Sequence, residues 1–266
     1  MIEIKNNSPK SFELPIAVQV LGISLVSMTK NRYNLVFNKG ISRSLIKDLI
    51  HLYRLEITSK KEGKIVDLLG VYTVHIHFYS HGNERIAVFY INEKDKLANY
   101  ENLCLLSRLL VKTYSSNVSH SKIRQICNQA IPSVKGLSAL FIINTTGHTL
   151  FTKFRSDKTK LAENYIQIGG FLSAILMFSN EVIGKNSGER LQAINFESQQ
   201  FLISVEEGII FAYLVEDSTR SDIRERYIEL IKEEFFELFY DCLTDFNGDI
   251  NQFNTFEPVV EKYFSI

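Results

Sequence analysis

The run Ile209-Ile210-Phe211-Ala212-Tyr213-Leu214 decides how this chain is read. It repeats the character of Ile86-Ala87-Val88-Phe89-Tyr90-Ile91, which lies 123 residues earlier. Both runs place a Tyr fifth, and both follow a turn: Ser80-His81-Gly82-Asn83 before the first, Glu206-Glu207-Gly208 before the second. A short apolar run bounded by turn residues reads as a buried strand. Its recurrence at this period divides the chain into two related halves.

Outward from these strands the halves keep step. The first opens with a strand-like run from Ile16 to Val26, a turn at Asn31-Arg32 and a strand Tyr33–Phe37. The second opens with Ser138–Ile143, the turn Asn144-Thr145-Thr146-Gly147 and Thr149–Lys153. Asn and Gly there permit positive φ, as a hairpin needs. A helix follows each hairpin: Leu45–Ile57, capped by Ser42 or Ser44, and a longer one from Leu161 to about Ile183, capped by Asp157 or Thr159 and closed by Gly184. Three strands come next, Ile65–Leu69, Val71–Tyr79 and Arg85–Asn92 in one half, Leu191–Phe196, Gln200–Val205 and Ile209–Val215 in the other. Each half closes on a helix, Asn102–Tyr114 with a further turn at Ser121–Ala130, and Asp222–Leu243. The last apolar segment, Phe253–Phe264, is expected to dock back.

Each half therefore reads β-β-α-β-β-β-α. The fold class is α+β: two domains, 12–130 and 137–266, each a five-stranded antiparallel sheet with helices packed on it. One sheet face is expected to be covered and the other partly free. The link is the Pro/Gly stretch from Ala130 to Gly136.

Composition sets the class. The 266 residues are 45% hydrophobic and 23% charged, the profile of a folded protein of one or two domains. Thirty basic and thirty acidic side chains cancel, which argues against a generic nucleic-acid binder. The sum hides an asymmetry: residues 1–130 hold 18 Lys+Arg against 10 Asp+Glu, and residues 131–266 hold 12 against 20. The halves then either attract one another or steer different partners, unless the difference is only that of two solvated surfaces. Cys104, Cys127 and Cys242 stand alone, which favours a reducing compartment. Leu14–Met28 and Ile166–Phe178 read as too short to span a bilayer, and no signal peptide or lipidation motif is read. A cytoplasmic location is expected, or one peripheral to membranes through partners.

The search for chemistry returns no catalytic residue, no cofactor and no metal. No phosphate loop, dinucleotide fingerprint or nucleophile elbow is present. His75 and His77 share one strand face, with His81 in the turn beyond. Such a trio suits a metal, but the alternation gives Val74, Ile76 and Phe78 the inner face and leaves the imidazoles to solvent. Cys104 and Cys242 fall on apolar stripes and read as core; Cys127 is not assigned. The carboxylates of the final helix, Glu225 to Glu237, read as a solvated face with pairs such as Glu229 to Lys232.

One helix exceeds what a single sheet requires. Leu161, Tyr165, Ile168, Leu172, Ile175 and Ser179 make one stripe. A second is made by Ile166, Gly170, Ala174, Met177 and Phe178, with Phe171 between the two. Gly170 and Ala174 would let another backbone come close. Either the other half, or the final segment Phe253–Phe264, covers this stripe, or it is a partner interface.

The stretch Ala139-Leu140-Phe141-Ile142-Ile143-Asn144-Thr145-Thr146-Gly147-His148-Thr149-Leu150-Phe151, the helix segment Gly169–Ile175 and the strands Phe201–Val205 and Ile209–Val215 resemble a longin domain. They are similar to the longin and roadblock-like proteins of archaeal type. The first half resembles a more divergent longin, with a long opening strand and a short helix. The resemblance covers roughly residues 12–128 and 137–244 and implies two longin-like, profilin-like domains in tandem. It further implies a non-catalytic platform for vesicle-trafficking partners: a small GTPase, another longin or roadblock protein, or a second copy of the chain. No functional residue transfers by motif. The competing reading is a pair of small-molecule sensor domains of PAS or GAF type, marked by a ring-lined cavity with convergent polar groups. An enzyme would require buried carboxylates around His75 or His77.

Overall fold

The computed structural model describes residues 18, 20–29, 32–94, 98–116, 120–185, 190–216 and 222–266. The expected strand at Ile16-Ala17 and the turn residue Asn31 lie outside them. The chain divides into two compact units, Met1–Pro132 and Ser133–Ile266. Each holds one five-stranded antiparallel sheet.

In the first unit β1 (Gly22–Met28) and β2 (Tyr33–Lys39) form the hairpin. Helix α1 (Arg43–Ser59) then carries the chain across to β3 (Glu62–Leu69), β4 (Tyr72–His81) and β5 (Glu84–Glu93). The sheet order is β2-β1-β5-β4-β3, so the last strand closes against the first. Ser42 caps α1, accepting from the Leu45 amide at 3.2 Å. Ile46, Leu49, Ile50, Tyr53 and Ile57 recur at helical spacing and pack on Val26, Val74, Ile76, Phe78, Phe89 and Ile91. Each such aliphatic or aromatic side chain contributes about 1.5–3 kcal/mol on burial.

The opposite face is not left partly free. Helix α2 (Tyr100–Ser115), capped by Asn99, and α3 (His120–Ala130) cover it. Leu103, Leu106, Ser107 and Leu110 of α2 and Ile123, Ile126 and Cys127 of α3 are buried there. The unit has three layers, helix, sheet and helices.

The second unit follows the same course. Its strands are β6 (Leu137–Asn144), β7 (Thr149–Phe154), β8 (Ala193–Asn195), β9 (Gln200–Glu206) and β10 (Ile209–Val215), in the order β7-β6-β10-β9-β8. Edge strand β8 pairs with only three residues of β9, Gln200 to Leu202. The Glu207-Gly208 turn has positive φ at both residues, 47° and 76°, which matches the twist of a two-residue hairpin. The expected single helix from Leu161 is broken at Asn164 into α4 (Thr159–Glu163) and α5 (Tyr165–Ser179), and a π-helical turn, Asn180–Gly184, extends α5. On the other face lie α6 (Asp222–Thr244), a 3-10 turn (Asn251–Phe256) and α7 (Glu257–Tyr263).

The final segment docks on α6 and β7. Phe253 stacks on Phe235, and Phe256 meets Phe151 and Phe235 edge-on. Glu234 of α6, 2% exposed, accepts from Lys262 at 2.5 and 2.7 Å and from the Tyr263 hydroxyl at 2.5 Å. Lys232 and Glu234 are thus buried members of a helix face expected to be solvated. The link stretch is itself pinned: Val134 bridges Phe264, its amide donating to the Tyr263 carbonyl at 2.9 Å.

The repeat reaches individual contacts. Lys39, opposite Ile23, reaches Asn128 of α3, and Lys153, opposite Leu140, reaches Glu257 and Glu261 of α7. Tyr90 and Tyr213 each reach a carbonyl of the overlying helix, that of Leu103 or of Ile228.

Candidate interaction face on helix α5

Helix α5 seats only one narrow side on its sheet. Leu172 is fully buried against Ala139, Phe141, Ile143, Ile210 and Ala212, and Ile168 and Leu176 flank it. Gly169 is the close-approach residue. A Cβ built there would stand 2.4 Å from Thr149 Oγ1, so the helix can lie this low on β7 only without a side chain. The sequence pointed to its neighbour instead. Gly170 faces open space, with nothing within 4 Å of a built Cβ.

The six residues expected at an interface share the outward side of α5. Ile166, Gly170, Phe171, Ala174, Met177 and Phe178 are all exposed, Ile166 and Phe178 at 65% each. Val182 and Ile183 extend the apolar surface through the π turn. From Asn164 to Asn180 the helix carries no charged residue. The final segment does not cover this side, because it is committed to α6 and β7. Isolated exposed apolar residues are ordinary, but a contiguous uncharged set on one helix is the composition of an interface core.

Counted through the π turn, Tyr165–Gly184 is 20 residues, long and apolar enough by length and composition to cross a membrane. This corrects the length read for Ile166–Phe178. The extension was not legible because Asn180, Glu181 and Lys185 interrupt the apolar run, although the backbone stays helical.

At the C-terminal end of α5 a cavity of about 340 Å³ lies beside the face. Ser173, Met177, Asn180, Val205 and Ile210 line it. The Ser173 hydroxyl is buried there without a hydrogen-bond partner.

The histidine pair sits elsewhere than expected. His75 and His77 are buried, His77 completely, because α2 covers their side of β4. His77 Nδ1 lies 2.8 Å from Ser107 Oγ. Ser107 donates to the Leu103 carbonyl at 2.7 Å, so Nδ1–H is the donor to Ser107 and Nε2 is bare. Burial holds the His77 pKa down to about 4, with the charges of Lys64 and His75 adding to it. Hydroxyl and imidazole are both inaccessible, so the pair is a packing device and not a nucleophile with its base. His81 stays exposed and meets the Tyr114 ring. Among the described residues no three His, Cys, Asp or Glu converge as metal ligands.

The two cysteines expected in the core are not the buried ones. Cys127 is the buried one, its thiol pushed well up by desolvation. Cys104 and Cys242 are half-exposed, and Lys64 Nζ lies 3.0 Å from Cys104 Sγ. In the second unit Arg155 clamps Glu216 and Asp157, and this holds the Glu216 carboxyl down at about 2. Arg155 is half-buried and both carboxylates are exposed, so the cluster adds little stability.

No protein-family model matches the chain, and no curated protein matches it.

Proposed function

We propose that this protein is a non-catalytic interaction platform that works through the outward face of α5. The observation that carries the reading is the uncharged apolar side of that helix, with Ile166, Phe171, Met177 and Phe178 exposed. Burying each of these is worth about 1.5–3 kcal/mol before the costs of association. Together with the longin resemblance of the sequence, the face suits a small GTPase or a related trafficking-type partner. A partner seated there would contact nucleotide-sensitive loops and shift their populations without chemistry on the platform's side.

The test is titration calorimetry of the full chain against small GTPases loaded with GDP or a non-hydrolysable GTP analogue, repeated with Ala174→Arg and Phe178→Asp. Binding that both substitutions abolish supports the reading. Binding to none of them, or binding that both substitutions leave intact, rejects it. Light scattering on the same samples separates a partner from a second copy: a wild-type dimer that Ala174→Arg dissociates puts the same chain on α5.

A further inference from the structure

The second unit contains a cavity of about 500 Å³ between the β8–β9 edge and the first turns of α6. The first unit shows what fills the equivalent place. Tyr90 and Tyr213 correspond, as do the helix residues they reach, Leu103 and Ile228. His75 and His77 stand opposite Tyr90 and Val88; Leu202 and Ser204 stand opposite Tyr213 and Phe211. Ser107 meets His77, and Lys232 meets Ser204 at 3.1 Å, which confirms the correspondence on the helix side. Tyr100 then corresponds to Glu225.

In the first unit the Tyr100 ring, 41% exposed, lies over this place. It lies 5.7 Å from the His77 ring and 6.3 Å from that of His75, with Lys64 Nζ 4.7 Å from its centre. In the second unit the three rings are exchanged for Leu202, Ser204 and Glu225, all of which line the cavity. A ring-sized space is left where its sister unit holds a ring.

The walls are not those of a dry void. Leu202 and Ile228 supply apolar surface, while Gln192 and Gln200 bring polar groups. Gln200 donates from Nε2 to Asn195 at 2.6 Å, which leaves its carbonyl oxygen as an acceptor. Gln192 offers both a donor and an acceptor. The volume lies within the range of small-molecule sites. Arg224, Glu225 and Glu229 also line the cavity, and Glu229 pairs with Lys232 at 2.7 Å, so the wall carries charges of both signs.

We propose that this cavity binds a planar heteroaromatic molecule of nucleobase or nucleoside size. Its ring takes the place that Tyr100 holds in the first unit, and its edge hydrogen-bonds to Gln192 and Gln200. The site is independent of the α5 face.

The test is titration calorimetry and thermal melting of the full chain with adenosine, guanosine, cytidine and uridine. Two variants fill the cavity: Glu225→Tyr, which installs the ring of the first unit, and Leu202→Trp. Circular dichroism checks the fold of each, and either one alone suffices. The expected result is binding of at least one nucleoside and a loss of about ten-fold or more in a folded filled variant. Absence of binding by all four nucleosides overturns the proposal. So does affinity unchanged in a folded filled variant.

Discussion

Tyr90 and Tyr213, 123 residues apart, aim their phenol hydroxyls at a carbonyl of the helix above, Leu103 at 3.3 Å and Ile228 at 3.4 Å. Both side chains are fully buried, so each hydroxyl must find a partner within its own unit. Tyr90 has a second, closer contact, Ser107 Oγ at 2.8 Å. Tyr90→Phe is therefore expected to cost more than Tyr213→Phe, about 1.5 against about 0.5 kcal/mol. Urea titration of both variants checks the order. Equal losses would mean that the Ser107 contact adds nothing.

The buried imidazoles predict an acid-sensitive first unit. The folded pKa of His77 is depressed to about 4 from the ordinary 6.5, and that of His75 is lowered too. Between those values the unfolded chain binds protons that the folded chain refuses. Stability therefore rises with pH through this window and falls as pH drops from about 6.5 towards 4. Melting curves from pH 7 to pH 4 measure the slope, and His77→Gln is expected to flatten it. A slope unchanged in that variant would remove His77 as its cause.

Two adjacent glycines should respond in opposite ways. Gly169→Ala drives a methyl into Thr149 Oγ1 and is expected to cost about 1–3 kcal/mol. Gly170→Ala meets nothing and gains helix propensity, about 0.5–1 kcal/mol. Chemical denaturation of the two single variants decides it. A stabilised Gly169→Ala would contradict the close approach of α5 to β7.

Glu234 holds the end of the chain to α6. Glu234→Ala leaves the Lys262 ammonium and the Tyr263 hydroxyl without their shared acceptor. The expected loss is about 3 kcal/mol. Amide exchange would show it first over residues 257–264.

Much of this fold was legible in the sequence because both halves carry the same order of periods. Ser42 marked the start of α1, and the apolar runs marked every strand of the two meanders. What the sequence left unread was destination. The stripe on α2 announced a buried side but not which sheet face would receive it, so His75 and His77 were placed in solvent. Between Gly169 and Gly170 no local pattern says which meets β7. Asn164 breaks a run whose apolar spacing continues across it. That the six residues proposed for an interface share one outward side was legible because an uncharged second stripe is a property of the helix alone. The cavity beside α6 was not, because it appears only when register pairs Leu202 with Tyr213 and the two units are compared.

The pairing of Val134 with Phe264 has a consequence for how the second unit can be handled. The polypeptide comes in and leaves at neighbouring points, with the Ser265 amide 2.9 Å from the Val134 carbonyl. A unit closed on itself in this way is a cassette. It can be transplanted into a surface loop of another protein, or its ends joined and new ones cut at the β9–β10 turn, without stretching the host chain or unthreading a strand.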